Sequence, residues 1–443
     1  MKKFLLFGLS VLIGFKSIAQ DREPLTFEKA VEIGLERNFD VKIAINEAIM
    51  ATNERRIGNS LLLPTLDATN VRTYRKEDTE QTFVSDPSTP RMIPGAQTRT
   101  NNYSLVAIYG FSADAVVALQ RLGKLAEISE LEAKVMIENA VAAIATSYYR
   151  LVLEQQRYNV LNTTLELSQE RVEIAKAQYE FGRASRRDFL AAQVDYNADL
   201  TALVNQEQVI QNSKINLNEL LAIDPQRNFD IKDTITIREN LLLEDLMENA
   251  YDNNKQLLVT QRLENVAYLQ LRELQAQRLP TITLNGAYNN NSLRSDAGFL
   301  LTNKQDGITL GATIGWNLFS GFSLNRRIQN AKIQMQNQRH FLDQYEIQMQ
   351  SDIQRTFNTY ENSKRLLEIE QMNYEVAVEN SEIALDRFRL GIANYLEFRD
   401  AQVNRLQAES RLIESLYNIK ETEIELMRLS GKIYFQSSYE KIH

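Results

Sequence analysis

Cysteine is missing from this chain, histidine occurs only twice, and there are one tryptophan and seven prolines in 443 residues. Without cysteine, disulfides, thiolate metal sites and a lipid-modified N-terminal Cys are excluded. His340 lies in a long polar segment and His443 is the last residue. No Gly-rich phosphate loop and no His/carboxylate cluster at ligand spacing accompanies them. Catalysis, a metal site and a cofactor site therefore find no support. Beyond the N-terminal segment no run reaches 18 apolar residues, so no later helix is expected to cross a bilayer.

The beginning of the chain has a different character. Met1-Lys2-Lys3 is basic, Phe4 to Phe15 is an apolar run broken only by Gly and Ser10, and Ser17-Ile18-Ala19 has small-x-small spacing. This pattern predicts a secretory signal at 1–19, too short for a membrane anchor of about 20 apolar residues. Its removal takes Lys2, Lys3 and Lys16 from 50 basic residues against 58 acidic ones, moving the net charge from −8 to −11. So acidic an exported chain is a poor candidate for binding nucleic acid.

What the sequence does have, it has twice. Leu63-Pro64-Thr65-Leu66 returns 216 positions later as Leu279-Pro280-Thr281-Ile282, and Tyr179-Glu180-Phe181-Gly182 returns 209 positions later as Phe388-Arg389-Leu390-Gly391. Solenoid units run to about 50 residues, so this doubling is that of a whole structural unit. The first repeat is assigned to 20–223, a connector to 224–240, the second repeat to 241–431 and a tail to 432–443. Each repeat opens on a helix, from Leu25 or Leu243, read as running to Pro64 or Pro280, where proline stops it. Period-two alternation then predicts strands at about 65–75 and 101–111, and at about 281–290 and 307–318. The links between paired strands are polar, Pro-rich in the first repeat (about 76–99) and shorter in the second (about 290–306).

Very long helices follow. Ile144, Tyr148, Leu151, Gln155, Tyr158, Asn162, Leu165, Gln169, Val172, Lys176 and Tyr179 step by four and three. Their counterparts run from Ile353, Phe357 and Tyr360 to Ser381, Leu385 and Phe388. A 3.5-residue seam predicts coiled-coil packing. Its polar members, Gln155, Asn162, Gln169, Lys364 and Gln371, fit either register selection or the wall of a wet space. Each helix turns at a glycine, with tips at 181–185 and 390–394, and a return helix follows.

Four strands with one apolar face cannot close a membrane barrel, for which eight is the usual minimum. Nor can they stay open in lipid, where every edge N–H and C=O would lack a partner. Several copies must pool their strands. Tyr103, Tyr109, Tyr288 and Trp316 then suit an interfacial aromatic girdle. A soluble sandwich would put these aromatics in its core, but it leaves the long helices unexplained.

Several motifs carry a family likeness. Leu25-Thr26-Phe27-Glu28-Lys29-Ala30-Val31 with Asn38 resembles the first-helix signature of the TolC-like outer membrane efflux proteins. So do Leu-Pro-Thr at both strand starts, Leu318-Phe319-Ser320-Gly321 at a strand exit, and Phe388, Gly391, Glu397, Asp400, Ala401 and Gln402 around the second tip. Phe39 departs from the proline common in the family, and Tyr109-Gly110-Phe111-Ser112 lacks the second glycine. The resemblance implies an α+β membrane protein that acts as a homotrimer. Each repeat would supply two transmembrane strands and one coiled-coil hairpin to a twelve-stranded β-barrel and an α-helical periplasmic tunnel. It further implies an exit duct of a tripartite efflux or type I secretion system, docked to a periplasmic adaptor and an inner-membrane pump.

The resemblance places a periplasmic gate at the tips, with Asp188, Glu397, Asp400, Phe388 and Tyr179 as its residues. A threefold ring of carboxylates favours cations. Ser185-x-x-Asp188 and Asn394-x-x-Glu397 also read as helix caps. Asp400 does not, and its first-repeat counterpart is Ala191. Gly182, Arg183, Gly391 and Ile392 resemble the tips that touch the adaptor, although a helix end by itself favours glycine. A periplasmic adaptor or coiled-coil scaffold without a pore is the rival function; it would carry one hairpin and soluble β-domains rather than two hairpins and lipid-type strands.

Overall fold

The computed structural model describes residues 24–56, 62–238 and 240–433. The expected signal at 1–19 and residues 434–443 of the expected tail, with His443, lie outside them. Two compact units divide the chain. One, the hairpin unit, takes in residues up to Arg37, Ala143–Ile237 and Asn362–Glu421. The sheet unit takes in Asn38–Ala142, Arg238–Glu361 and the residues from Thr422 onward. The units cut across the two repeats, each drawing on both.

Each expected opening helix is in fact two. The first repeat has α1 (Phe27–Arg37) and α2 (Phe39–Glu54), and the second has α5 (Leu243–Asn253) and α6 (Lys255–Ala276). The breaks fall at Asn38 and Asn254, again 216 positions apart. Asn38 Oδ1 accepts from Val41 N at 3.1 Å, and Asn254 Oδ1 from Leu257 N at 2.9 Å. A side chain that satisfies an orphan N–H starts a new helix there. Phe39 therefore occupies the first helical position, the place where proline is favoured.

In the sheet unit, β1 (Thr65–Phe83), β2 (Asp86–Phe111), β3 (Thr281–Ser295) and β4 (Thr302–Gly315) form one antiparallel sheet in chain order. The first hairpin is longer than the alternation predicts. Residues expected to form a polar link continue as strand, because ladder pairing does not require an apolar face. Its prolines are accommodated by irregularity: the register breaks between Glu77 and Thr79, opposite Pro94 and Gly95. Gly95 has φ +67°, and its N–H donates to Asp78 Oδ1 at 2.6 Å. That is bulge chemistry, the place where a strand tolerates Pro and Gly. β4 stops at Gly315, so Trp316 and Leu318 lie just beyond the strand that was expected to hold them.

α3 (Ala113–Glu180) and α7 (Ser323–Arg389) are the long helices, and α4 (Arg186–Leu220) and α8 (Tyr395–Leu429) are the return helices. In the hairpin unit the first three positions of the expected seam are core: Ile144, Tyr148 and Leu151 are buried. The Tyr148 hydroxyl donates to Leu25 O at 2.9 Å and to Asp233, and Phe27 lies against the rings of Tyr148 and Tyr149. Burial raises the Tyr148 phenol well above its ordinary pKa, so it acts as a donor that ties the connector to α1. Toward the tip the seam moves. Gln169, Lys176 and Tyr179 are exposed, while Thr164, Ser168, Arg171 and Ala175, each one position earlier, are buried. The buried positions keep the steps of four and three but lie one residue earlier, where Ser168 and Arg171 meet α4 and α8.

Candidate functional site

Both tips are built alike. α3 ends in a Schellman-type turn, with Arg183 N donating to Gln178 O at 2.8 Å; in α7 the same bond joins Ile392 N to Arg387 O at 2.9 Å. Gly182 and Gly391 have φ of +70° and +76°, the left-handed geometry that such a turn requires. A Cβ at either position would meet nothing within 4 Å, so backbone conformation and not crowding selects glycine. Arg183 and Ile392 are exposed beside them.

Past the turns, Ser185 and Asp188 form a reciprocal capping box. Asn394 accepts from Glu397 N at 2.9 Å, while the Glu397 carboxylate turns instead to Arg387 at 3.1 Å. Tyr179 stacks on Phe189 within the first hairpin, with ring centroids 6.3 Å apart. Phe388 is buried against Phe398, Ala384, Ala393 and Ala401, with Ile174 of α3 packed on the same cluster. Asp400 is exposed and makes no hydrogen bond or ion pair with any described residue.

Beneath the tips lies a polar network that the sequence pattern did not reveal. The Arg171 side chain of α3 is fully buried, and its Nη1 donates to Gln402 Oε1 of α8 at 2.7 Å. Gln402 Nε2 returns to α3, donating to Thr164 O at 2.9 Å and to Ser168 Oγ at 2.8 Å. The Ser168 hydroxyl donates to Asp199 of α4. Arg399 of α8 grips the same carboxylate through both terminal nitrogens, at 2.9 and 3.1 Å. Tyr395 donates to Asp195, which lies 3.5 Å from Arg399 and 3.6 Å from Arg171. Arg171 also sits over the Tyr395 ring at 5.4 Å. Its Nε and Nη2 have no hydrogen-bond acceptor among the described residues. Burial first, and repulsion from Arg399 second, push its pKa down to about 10 against the pull of the two aspartates. It remains charged at neutral pH, at an energetic cost that its incomplete pairing does not fully offset.

A signal for this network was present. Shifted by 209 positions, Arg171 maps to Asn380, Asp195 to Asn404, Asp199 to Ala408 and Arg399 back to Leu190. Only Gln402 has its like, Gln193. The difference between the repeats that singled out Asp400 against Ala191 marks four of the residues joined here.

In the tip half of the hairpin unit, α4 and α7 each bond to α3 and α8. Their outer sides keep unpartnered apolar stripes. Ile369, Val376 and Ile383 of α7, and Leu390 just past its end, recur every seven residues and are all exposed; on α4, Leu190, Val194, Val204 and Ile215 fall at a/d positions, with Asn197, Thr201, Gln208 and Gln211 between them, and are exposed too. This is a coiled-coil seam without a partner among the described residues.

The sheet has its own two-sidedness. Paired residues share a face, so the register puts Leu66, Ala107, Gly286 and Leu310 in one row and Ala68, Leu105, Tyr288 and Ile308 in the next. Tyr109, Leu284 and Ala312 continue this face to Phe111, Ile282 and Ile314. The other face presents Thr69, Ser104, Asn289 and Gly307 in one row and Thr73, Thr100 and Leu293 in another. Tyr103 and Tyr288 stand near one end of the apolar band, and Tyr109 and Trp316 near the other. Trp316 Nε1 donates to Arg278 O at 3.0 Å. No helix among the described residues is long and apolar enough to cross a membrane.

Comparison with known proteins identifies this architecture. The family described as "Outer membrane efflux protein" matches residues 246–432. The second half of the chain is thus similar to that family. The probable efflux pump outer membrane protein TtgC of Pseudomonas putida is 21% identical over 425 residues, spanning 93% of this chain and 84% of TtgC. The proteases secretion protein PrtF of Dickeya chrysanthemi is 22% identical over 68% of each chain. The crystal structure of the Campylobacter jejuni CmeC outer membrane channel shares the fold, with a TM-score of 0.78 and 14% identity over 100% of this chain and 96% of that one. The chain is similar to TolC-like outer membrane proteins of efflux and secretion systems, and the matching family is one of conduits rather than enzymes.

Proposed function

We propose that three copies of this chain close into one passive exit duct. The observation that carries this is a double set of unpaired edges. β1 and β4 bound the sheet, and the exposed seams of α4 and α7 flank the helices that bond to both. Pairing β1 with β4 of the next copy gives twelve strands and removes every edge, as lipid requires. Packing α4 on α7 of the next copy covers both apolar stripes. The apolar sheet face, with its aromatic girdle of Tyr103, Tyr109, Tyr288 and Trp316, meets lipid. The Thr-, Ser- and Asn-rich face lines the lumen.

The tips form the gate. Arg399, held by Asp199 and Asp195, and Arg171, held by Gln402, fasten the second hairpin to the first and favour a narrow resting state. Opening means releasing these bonds, at a cost that docking of the adaptor offsets. Gly182, Arg183, Gly391 and Ile392 are the surface that the adaptor reaches. Asp400, with Glu397 and Asp188, places carboxylates at the mouth that attract cations, while Tyr179 and Phe388 shape the hairpins behind them. The inner-membrane pump supplies the energy and selects the cargo, small molecules or polypeptide.

Placing glutamate on both stripes, Val194→Glu with Ile383→Glu, tests the assembly. Native mass spectrometry should find trimers of the parent protein and monomers of the variant, and only the parent should conduct in planar bilayers. Trimers that survive both charges would remove the α4/α7 seam from the interface.

A further inference from the structure

The lipid-type face does not end alike at its two ends. At the end nearer the helices it runs through Phe111, Ile282 and Ile314 to Trp316, and no cation occurs on this face in that stretch of strand. Toward the hairpin turns it changes abruptly. Arg72 of β1 and Lys304 of β4 stand in one row, joined through Asn101 and Ser292. Arg99 and Arg294 stand in the next row, beside Tyr74. Rows on one face lie about 7 Å apart and strands about 4.8 Å apart, so four cations occupy a patch about 15 Å across. The only carboxylate close to them on this face within the paired rows is Asp306, one row inward beside Tyr103.

The patch is partly prearranged. Arg72 donates from Nε to Asn101 Oδ1 at 3.2 Å and from Nη2 to the Tyr103 hydroxyl at 3.0 Å. Arg99 lies over the Tyr74 ring, 5.6 Å from its centroid. Arg294 and Lys304 are exposed and pair with no described carboxylate. Arg72, Tyr74, Arg99 and Arg294 together line one shallow depression. Guanidinium forks held on aromatic faces match phosphate oxygens in geometry as well as charge.

We infer that this patch binds the phosphate groups of phosphorylated lipids in the outer leaflet. The inference rests on the barrel reading, in which this face meets lipid and the hairpin turns point outward. A free anion would need only the cations. Here they adjoin a continuous apolar band, so the fitting ligand carries phosphate at one end and acyl chains at the other. A cation at mid-membrane on this face is costly, and the cost falls away at the interface, where the barrel reading puts these four. Threefold repetition would place a collar of phosphate contacts around the barrel.

The test uses the full-length trimer in uncharged detergent, with lipopolysaccharide, its dephosphorylated form and inorganic phosphate as probes, read by native mass spectrometry. The parent protein should hold phosphorylated lipopolysaccharide at least tenfold more tightly than Arg72→Gln/Arg99→Gln/Arg294→Gln. The dephosphorylated lipid should bind both proteins alike, and millimolar phosphate should compete poorly. Equal binding of the phosphorylated lipid by both proteins would overturn the inference, as would capture of inorganic phosphate with comparable affinity. Should the triple variant not fold, Arg294→Gln/Lys304→Gln, which removes no internal bond, decides by the same comparison. Conductance separates the two readings: a parent that forms no conducting trimer sinks the barrel, whereas a conducting trimer indifferent to lipid phosphate sinks only the collar.

Discussion

The two tips share a backbone and differ in their charges. In both, a long helix ends at a left-handed glycine, two residues follow, and an N-cap side chain opens the return helix. Where the repeats agree, at Gly182 and Gly391, at Ser185 and Asn394, and at Asp188 and Glu397, the residues make the turn. Where they disagree, the first repeat supplies Arg171, Asp195 and Asp199, and the second supplies Arg399, Tyr395 and Asp400. A network that joins two hairpins needs donors on one and acceptors on the other, and identical copies would offer each charge its own kind. Divergence after duplication is therefore what allows one hairpin to hold its sister.

Replacing network residues by their counterparts in the other repeat breaks this comparison most severely. Asp199→Ala leaves the Arg399 guanidinium without its bidentate partner and Ser168 without an acceptor, and breaking a buried pair costs about 3–5 kcal/mol. Arg399→Leu should cost about the same, and a double-mutant cycle should show strong coupling between the two. Both variants should melt lower and leak more at rest in planar bilayers. A tight resting conductance with Asp199→Ala would exclude the network from gating.

Next in size are the turns. Gly182→Val and Gly391→Val force a β-branched residue to positive φ, at about 1–3 kcal/mol each. Export should fail while trimers still form, because the open space around both glycines lets the side chain project into the docking surface. Export at the parental rate would argue that the tips are not that surface.

Capping should affect the two repeats equally. Ser185→Ala and Asn394→Ala each remove one side-chain acceptor, worth about 1 kcal/mol. Matched losses in thermal unfolding would sharpen the distinction between shared turn and unshared charge. A loss at Ser185 alone would mean that only its reciprocal box, with Asp188, matters.

Asp400→Ala should disturb stability least, by less than about 0.5 kcal/mol, since the carboxylate is exposed and unpaired. Its effect should appear instead in cation block and resting conductance. If both stay at the parental value, Asp400 is a solvated charge and the gate lies with the buried network.

Strands, long helices and turns were legible in the sequence, because each leaves a local signature: period two, proline-free heptads, and glycine followed by a capping residue. The breaks at Asn38 and Asn254 were not, since a mid-helix asparagine signals a new start only when its side chain turns back to a nearby N–H. The reach of β1 and β2 beyond residues 75 and 101 escaped for a related reason: backbone pairing holds those rows without help from an apolar pattern. The polar network was hardest to see. Arg171, Asp195, Asp199 and Arg399 come from three helices, and no window of sequence brings them together.

By itself, then, the sequence determined the doubled plan, the alternating faces of the strands and the chemistry of the tips, all of which depend on residues a few positions apart. The tertiary structure alone decided which side of α3 is buried toward the tip, and so put Thr164, Ser168 and Arg171 where Gln169 and Val172 were expected. It also decided that α4 and α7, rather than α3 and α8, keep an open seam. The reason is long-range packing. Ser168 meets Asp199 of α4 and Arg171 meets Gln402 of α8, 31 and 231 positions away, and no local heptad encodes such partners.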